Sequence, residues 1–324
     1  MIKVDRLSKR YARTTAVDNI NFEVEKGQIV GFLGPNGAGK TTTMRMLTCF
    51  LPPSTGTANV AGFDVLRHPL EVKKRIGYLP ETPPLYPDME TGEYLEFVGR
   101  LKGIPKADLK RRVSDVMDRC AVGDVRNKLI SKLSKGYRQR VGLAQAVIHS
   151  PEVLILDEPT SGLDPKQIHE TRSLIRGLAG DHTIILSTHI LPEVEQICER
   201  VIIISKGKIA ATDTVQNLTN RLRGSEAVAV EIEPRSGTLD PTVVLRRLEQ
   251  VPGVSRVLAR EPRGSRLLFE VESLQGRSVR ADLARAIVDS GWNLNELRSV
   301  AVSLEEVFLQ LTSSDAAVME EVHQ

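Results

Sequence analysis

The sequence predicts an α/β protein with a mainly parallel sheet, an inserted helical subdomain and a smaller α+β domain towards its C-terminal end. Three observations lead to this fold class. Short runs of Val, Ile and Leu alternate with helical stretches over the first two thirds of the chain. A glycine-rich segment separates one such run from a helical stretch. Near residue 222 the pattern changes, and short strand and helix patterns follow in a new order.

Four apolar runs are expected to form strands buried on both faces. They are residues 29–33, 153–156, 183–186 and 201–204. Strands in a parallel sheet covered by helices are nearly continuously apolar, which is the pattern found here. These runs are far too short to span a bilayer, so any role at a membrane would require a separate spanning partner.

The strand-like runs stop between residues 91 and 126. Residues 93–101 and 109–120 have helical spacing of apolar side chains, with a Gly-Ile-Pro break at 103–105. We therefore predict a helical subdomain at about residues 88–150, inside a first domain of residues 1–222.

The second domain is predicted at residues 225–312. Its expected elements are a strand at 227–232, a helix at 243–251, strands at 254–258 and 267–271, a helix at 279–290, a strand at 294–300 and a closing helix at 304–311. The order βαββαβ is typical of a ferredoxin-like, two-layer domain. Residues 313–324 are expected to form a frayed tail.

Composition narrows the class of protein. With 41% hydrophobic and 26% charged residues the chain suits an ordinary globular protein, and a net charge of +3 is lower than a general nucleic-acid-binding protein usually carries. The dispersed cysteines, Cys49, Cys120 and Cys198, predict reduced thiols rather than a disulfide framework. The charged N-terminal residues predict no secretion signal.

Residues 34–41 match the phosphate-binding loop in full. The predicted nucleotide contacts here are Gly34, Asn36, Gly37, Ala38, Gly39, Lys40, Thr41 and Thr42. Glycines allow successive backbone N–H groups to face a phosphate, and a helix expected to start near Thr42 adds a favourable field. Lys40 would reach the β- and γ-phosphates and the Thr41 hydroxyl would bind Mg²⁺. The alternative, a glycine-rich turn without a ligand, does not explain the strand before it and the helix after it. A P-loop NTPase core is therefore predicted.

An apolar run ending in two acids follows at residues 153–158. Asp157 is placed to hold Mg²⁺ through water and Glu158 to polarise the attacking water. A strand ending in Asp-Glu is more often a surface turn when it stands alone. Its combination with a phosphate-binding loop favours the catalytic interpretation.

Further segments resemble one family, the ATP-binding subunits of ABC transporters, over about residues 2–220. The resemblance rests on a signature-like segment (Ser134, Lys135, Gly136 and Tyr137), on Asp164 in a D-loop, on His189 at the switch position and on Tyr11 where an aromatic ring stacks on adenine. Each has a structural alternative. Ser134 alone suits a helix N-cap, His189 a structural histidine and Tyr11 a packing aromatic.

The resemblance implies a mechanism. Two copies would form a head-to-tail homodimer around two ATP, with Ser134 and Gly136 of one copy facing the γ-phosphate held by Lys40 of the other. Glu158, His189 and Lys40 would be catalytic. Closure of the dimer would be passed to integral membrane permease subunits through residues 76–87, and the chain would lie peripherally on the cytoplasmic side of the cell membrane.

Three departures from the family pattern are present. Glu81 replaces the usual Gln that contacts Mg²⁺ and water, and a carboxylate there would still be a metal ligand. Lys135 and Tyr137 replace a glycine and a glutamine of the signature. Together with residues 302–308 these departures resemble the branch that serves ABC-2 type exporters.

Two other functions agree with less of the sequence. A soluble ABC-type ATPase acting on ribosomes or nucleic acid would usually have two cassettes, long coiled coils or zinc cysteines. A GTPase would need an Asn-Lys-x-Asp element, and Asn127-Lys128 lacks the Asp. The C-terminal domain is expected to support the dimer, with a small-ligand sensor as the alternative.

Overall fold

The structure is a computed structural model that describes residues 1–221, 227–235, 239–264, 266–274, 277–300 and 308. The chain divides into two compact units, Met1–Val215 and Gln216–Gln324. The domain boundary expected at residues 222–225 stays a prediction.

Unit 1 contains two sheets. Its strands are β1 (Ile2–Tyr11), β2 (Thr14–Val24), β3 (Ile29–Leu33), β4 (Thr55–Val60), β5 (Phe63–Asp64), β6 (Ile76–Leu79), β7 (Val153–Asp157), β8 (Thr183–Thr188), β9 (Arg200–Ser205) and β10 (Lys208–Thr214). An antiparallel sheet has the order β2-β1-β4-β5, and a second sheet has the order β10-β9-β3-β8-β7-β6. In the second sheet all neighbours are parallel except the pair β9 and β10. The predicted parallel α/β core is confirmed.

The order of the parallel sheet brings distant motifs together. β3, β8 and β7 are adjacent, so their carboxyl ends lie side by side although they are far apart in sequence. Loops after the carboxyl ends of parallel strands form the usual ligand crevice of such sheets. Buried side chains of both sheets and the first helix form one core, which includes Leu7, Phe32 and Met44.

The helices that accompany unit 1 are α1 (Lys40–Leu47), α2 (Pro69–Arg75), α3 (Thr91–Leu101), α4 (Lys106–Arg119), α5 (Lys135–Val147), α6 (Pro165–Gly177), α7 (Leu191–Ile197) and, at the unit boundary, α8 (Val215–Arg221). α3, α4 and α5 pack on one another. α4 begins three residues earlier than the spacing of its apolar residues suggests, because Pro105 lies in an extended conformation at its N-cap and starts the helix directly afterwards.

Unit 2 is a two-layer α+β structure. It contains β11 (Ala227–Pro234), α9 (Pro241–Glu249), β12 (Val254–Arg263), β13 (Arg266–Ser273), α10 (Arg280–Asp289) and β14 (Trp292–Val300). The sheet order is β12-β13-β11-β14 and every neighbouring pair is antiparallel. This is the expected βαββαβ sequence of elements. The helix expected at 304–311 and the tail at 313–324 fall outside the described residues, apart from residue 308.

Several element boundaries in unit 2 differ from the sequence-based expectation: β11 ends at Pro234 rather than 232, α9 at Glu249 rather than 251 and β13 at Ser273 rather than 271, and β14 starts at Trp292 rather than 294. Two further differences have a clear physical cause. α9 starts at Pro241 rather than at residue 243, because the Asp240 side chain accepts a hydrogen bond from the Thr242 backbone N–H and caps the helix there. β12 continues to Arg263, well past residue 258, because its polar second half pairs with β13 as far as Arg266. Apolar alternation alone could not predict a strand half that is solvent-facing.

Candidate nucleotide site

The glycine-rich loop lies between β3 and α1. Gly39 has φ 108°, and a Cβ built on it would lie 2.6 Å from the Ala16 carbonyl oxygen, so this position requires glycine. The helix begins at Lys40, two residues before the predicted start near Thr42, because Gly39 itself occupies the N-cap position. The loop can present the backbone N–H groups at the start of α1 because residue 39 is a glycine.

Lys40 is the charged centre of the loop. It is 6% exposed, and its Nζ donates to the Gly34 carbonyl oxygen at 2.8 Å and lies 3.4 Å from Glu158 Oε1. A buried ammonium is stable only where it is paired and hydrogen-bonded. The loop and the carboxylate after β7 therefore hold the amine at the mouth of the loop, where a bound phosphate would replace these contacts.

Two hydroxyls donate hydrogen bonds to Asp157, the last residue of β7. Thr41 Oγ1 donates to Asp157 Oδ1 at 3.2 Å, and the Ser187 hydroxyl also donates to Asp157 Oδ1. Asp157 is 1% exposed, and this burial raises the pKa of its carboxyl above the ordinary value, while the neighbouring Glu158 and Glu81 carboxylates raise it further. Burial therefore disfavours the ionised form of the Asp157 carboxyl, and a bound cation would stabilise that form.

Glu158 and His189 form a pair across the ends of β7 and β8. His189 Nδ1 lies 2.9 Å from Glu158 Oε2, and the Glu158 backbone N–H donates to both the Ser187 carbonyl and hydroxyl oxygens at 3.1 Å. Glu158 has φ 49°, a left-handed conformation that costs a non-glycine residue about 1 kcal/mol or more. The strained backbone is held by Ser187 and turns the carboxylate towards Lys40 and His189.

Most of these groups line one cleft of about 320 Å³, but Asp157 and Ser187 do not, and neither do the predicted phosphate contacts Gly34 and Ala38. Its lining is Ala16, Asn36, Gly37, Gly39, Lys40, Thr41, Thr42, Glu81, Glu158, Ser161 and His189. Ser161 Oγ donates to Glu81 Oε1 at 3.3 Å, which brings the predicted Glu81 to the rim of the cleft. Cationic, hydroxyl and carboxylate groups around a glycine-rich loop are the set needed to bind and cleave a triphosphate.

Comparison with known proteins identifies the family. Residues 17–161 match the family model described as ABC transporter. An uncharacterised ABC transporter ATP-binding protein of Bacillus subtilis, YxlF, is 34% identical over 96% of this chain and 99% of its own length. The chain belongs to the ABC transporter ATP-binding proteins. It is accordingly an ATP-binding and ATP-hydrolysing subunit of an ABC transporter.

Other similarities agree with this ABC membership. The daunorubicin resistance ATP-binding protein DrrA3 of Streptomyces coeruleorubidus is 34% identical and covers 98% of both chains. A solved structure described as the ATP-binding subunit of an ABC transporter matches 68% of this chain and 93% of its own, with 28% identity and a TM-score of 0.63. Nothing supports the soluble ribosome- or nucleic-acid-acting alternative.

The signature-like segment does not line the cleft of its own chain. Ser134 caps α5 by accepting a hydrogen bond from the Tyr137 backbone N–H, as expected for an N-cap. Tyr137 donates its hydroxyl to Asp124 Oδ2 at 2.5 Å. Lys135 lies over Gly162, where an added Cβ would be 2.2 Å from its Nζ. None of the four signature residues lines the cleft.

The remaining predicted residues of this ABC protein are separate from the cleft as well. Asp164 caps α6 by accepting from the Gln167 backbone N–H at 2.9 Å. Tyr11 is 47% exposed at the end of β1, with Lys9 Nζ 5.4 Å from its ring centroid, and does not line the cleft. Its adenine-stacking role stays a prediction.

Sequence reasoning missed three residues at the site of this ABC ATPase. Ser187 holds both acids at the end of β7, Ser161 contacts Glu81, and Ala16 forms one wall beside the glycine-rich loop. Only Ser187 carried a signal, since it lies at the end of a buried strand two residues before His189. Along the described ranges, no helix has the length and apolar character needed to cross a bilayer.

Proposed function

We propose that this chain hydrolyses ATP at sites shared between two head-to-tail copies and so drives separate permease subunits of the ABC-2 type, in the export direction. One observation carries the proposal. The cleft gathers Lys40, Glu158 and His189, whereas the signature segment beginning at Ser134 lies elsewhere on the same chain. A second copy can supply that segment, as membership of this family implies.

The catalytic roles follow from the contacts. Lys40 exchanges its interaction with Glu158 and the loop carbonyls for the β- and γ-phosphate oxygens. Glu158 polarises the attacking water and His189, hydrogen-bonded to it, fixes the carboxylate orientation. Thr42 and Asn36 border the same cleft and complete the phosphate contacts.

The residues present fit a magnesium ion shared with the substrate. Thr41 and Asp157 offer oxygen ligands 3.2 Å apart, and Glu81 lies at the cleft rim. Mg²⁺ bound with a nucleotide is usually held by one or two side chains together with substrate phosphates, and Thr41 and Asp157 would supply those side chains. When bound, Mg²⁺ would neutralise charge developing on the phosphate oxygens.

The second copy would contribute the N-terminus of α5. Ser134 and Gly136, followed by Tyr137, present a helix start to the γ-phosphate, and Lys135 adds positive charge beside it. Asp164 belongs to the loop that would contact the opposite copy. ATP would then join the two copies, and its hydrolysis would release them, which is a two-state switch biased by the γ-phosphate.

A second cavity supports a permease contact. It has a volume of about 490 Å³ and lies between β6 and the end of α5. Its lining includes Tyr78 and Pro80 together with the charged side chains of Lys73 and Lys102. Phe50, 72% exposed, borders it. An exposed apolar groove next to the 76–87 segment would suit a short helix of an ABC-2 type permease, and such a contact would hold the chain peripherally on the cytoplasmic side of the membrane. The exporter direction is supported by the branch resemblance at Glu81 and by the resistance function named for the DrrA3 relative.

The test of the shared site is the mass of the Glu158→Gln variant in solution, measured by light scattering with and without ATP and Mg²⁺. This variant keeps nucleotide binding and slows water attack by at least about a hundredfold, so ATP should convert it to a dimer. The matched control carries Lys40→Ala as well and should not respond to ATP. A Glu158→Gln protein that binds ATP but stays a monomer, even when wild-type chain is added, would contradict the shared site.

A further inference from the structure

A buried carboxylate lies behind the Glu158–His189 pair. Glu193, the third residue of α7, is 1% exposed and does not line the nucleotide cleft. Its Oε2 accepts hydrogen bonds from Thr160 Oγ1 at 2.7 Å and from Thr188 Oγ1 at 3.2 Å. One carboxylate oxygen therefore connects the turn that contains Thr160 to Thr188 at the end of β8.

Those two segments carry the proposed reacting groups. Thr160 follows Glu158 by two residues, and Thr188 directly precedes His189. His189 Nδ1 lies 2.9 Å from Glu158 Oε2, so the chain and the hydrogen bonds form a closed ring through Glu193. A closed ring restricts the separation of its members more than any one hydrogen bond could, because each contact limits the freedom of the next.

The direction of the hydrogen bonds in the ring is also determined. The Ile190 backbone N–H donates to Thr188 Oγ1 at 3.0 Å, so the hydroxyl proton of Thr188 is left to point at Glu193. Both threonines are at most 1% exposed. Water therefore cannot take the place of the Glu193 carboxylate as hydrogen-bond acceptor without a large free-energy cost. Among the described residues, Glu193 is thus the acceptor on which both hydroxyls depend.

Packing alone does not explain a carboxylate here. Glu193 Oε1 has no hydrogen-bond partner among the described residues, so half of a buried acid is unsatisfied. An apolar side chain of the same size would avoid that desolvation cost. Unsatisfied buried polar groups in folded proteins call for a specific explanation, and function is a common one.

We propose that Glu193 is a positioning residue for ATP hydrolysis. It fixes the segment after Glu158 to the segment before His189, so that the water-polarising carboxylate and the switch histidine keep their mutual geometry while the loop towards Asp164 responds to the second copy. It acts through Thr160 and Thr188 and does not touch the nucleotide. The inference rests on the roles proposed above for Glu158 and His189.

The experiment measures steady-state ATP hydrolysis by the full-length chain carrying Thr160→Val, Thr188→Val or Glu193→Leu. We expect kcat to fall about tenfold or more while KM for ATP stays within about twofold, because only reacting-group geometry changes. The double variant Thr160→Val with Glu193→Leu should be no slower than Glu193→Leu alone, since both break one ring. Additive losses would contradict the ring.

Loss of stability is separated from loss of positioning by a control in the same helix. Val194 is fully buried and packs near Gly31, outside the ring, so Val194→Ala should lower the melting temperature and leave kcat unchanged. The Nδ1 nitrogen resonance of His189 should shift in Thr188→Val and not in Val194→Ala. If Glu193→Leu does not fold, the nearly isosteric threonine variants still decide the question.

The outcomes distinguish the two levels of the proposal. Turnover retained by Glu158→Gln and by His189→Ala would overturn the proposed roles themselves. Turnover lost by those two variants but kept at the wild-type kcat by Thr160→Val and Thr188→Val would overturn the positioning role of Glu193 alone.

Discussion

At the residue scale, Glu81 tests how much charge the cleft tolerates. It is an exposed carboxylate that accepts from Ser161 and lies in one cleft with Glu158, close to the buried Asp157. Glu81→Gln keeps an oxygen for Ser161 or Mg²⁺ and removes one negative charge. We expect ATP turnover within about threefold of wild type, less than 1 kcal/mol in the barrier, and a KM for ATP that does not rise.

Phosphate release measured over a range of ATP and Mg²⁺ concentrations checks this expectation. Glu81→Ala is the matched comparison, because it removes the charge and the oxygen together and should raise the Mg²⁺ requirement. Complete loss of turnover in Glu81→Gln would show that the carboxylate itself takes part in the reaction.

The buried carboxylate of Asp157 lowers the free energy of unfolding at neutral pH. Burial raises the pKa of its carboxyl, so the folded chain binds the proton more tightly than the unfolded chain does. Stability from this group is therefore greatest below its ordinary pKa near 3.8 and is lost as the pH rises through the folded pKa. At neutral pH the ionised acid is a net cost.

Asp157→Asn should accordingly raise the melting temperature at pH 7 by about 2–4 °C, the response of a domain of this size to about 1 kcal/mol. Its side-chain oxygen can still accept from Thr41 and Ser187, while Mg²⁺-dependent turnover is lost. Thermal melts from pH 3 to pH 8 measure the effect, which should shrink at the acid end. Asp115→Asn, at an exposed position on α4, is the control. A variant less stable than wild type at pH 7 would contradict the sign.

At the scale of elements, the contact between β6 and the end of α5 depends on a neutral histidine. His149 Nε2 donates to the Ile76 carbonyl oxygen at 3.0 Å, and Nδ1 is buried with no partner among the described residues. Burial, with Lys102 nearby, lowers the pKa of His149 to about 4 from 6.5. The unfolded chain therefore binds the extra proton first as the pH falls.

Stability should fall between pH 6.5 and about 4 by about 2 kcal/mol from this group. His149→Gln can keep the bond to Ile76 and has no such titration, so its melting temperature should depend less on pH in that window. Some dependence will remain, because burial lowers the pKa of His182 as well. His169→Gln, exposed on α6, should match the wild-type profile. Identical pH profiles for His149→Gln and wild type would remove His149 as the cause.

The same scale shows what the sequence could predict. Three features were predictable from residues close together in sequence: the glycine-rich loop, the acids at the end of β7 and the buried strands. Each is defined by a short motif or by the local pattern of apolar side chains. The contacts of Ser187, Ser161 and Glu193 were not, since they arise from strand order and from packing between segments about 30 or more residues apart. Boundaries such as the start of α9 depended on a cap that apolar spacing does not reveal.

At the scale of the whole molecule, the nucleotide cleft is formed by unit 1 alone. Every residue that lines the nucleotide cleft belongs to unit 1, and unit 2 has its own core around Phe269. In unit 2 the helices cover one face of the sheet. Among the described residues the other face bears ion pairs, including Arg260–Glu270 at 2.5 Å and Arg266–Glu231 at 2.7 Å. These charges are paired within the chain, and the expected role of the C-terminal domain in supporting the dimer stays a prediction.

Truncation after Arg221, with Glu158→Gln in both chains, separates these functions. We expect the truncated chain to bind ATP as tightly as the full chain, because the cleft is intact, and to pair about tenfold more weakly, a loss of about 1.4 kcal/mol. Light scattering over a concentration series with saturating ATP measures the pairing, and nucleotide titration measures the binding. Equal dimer affinities would mean that the C-terminal domain does not hold the copies together. Weaker ATP binding with unchanged pairing would mean instead that the domain acts on the nucleotide site, which would favour the alternative role of a small-ligand sensor.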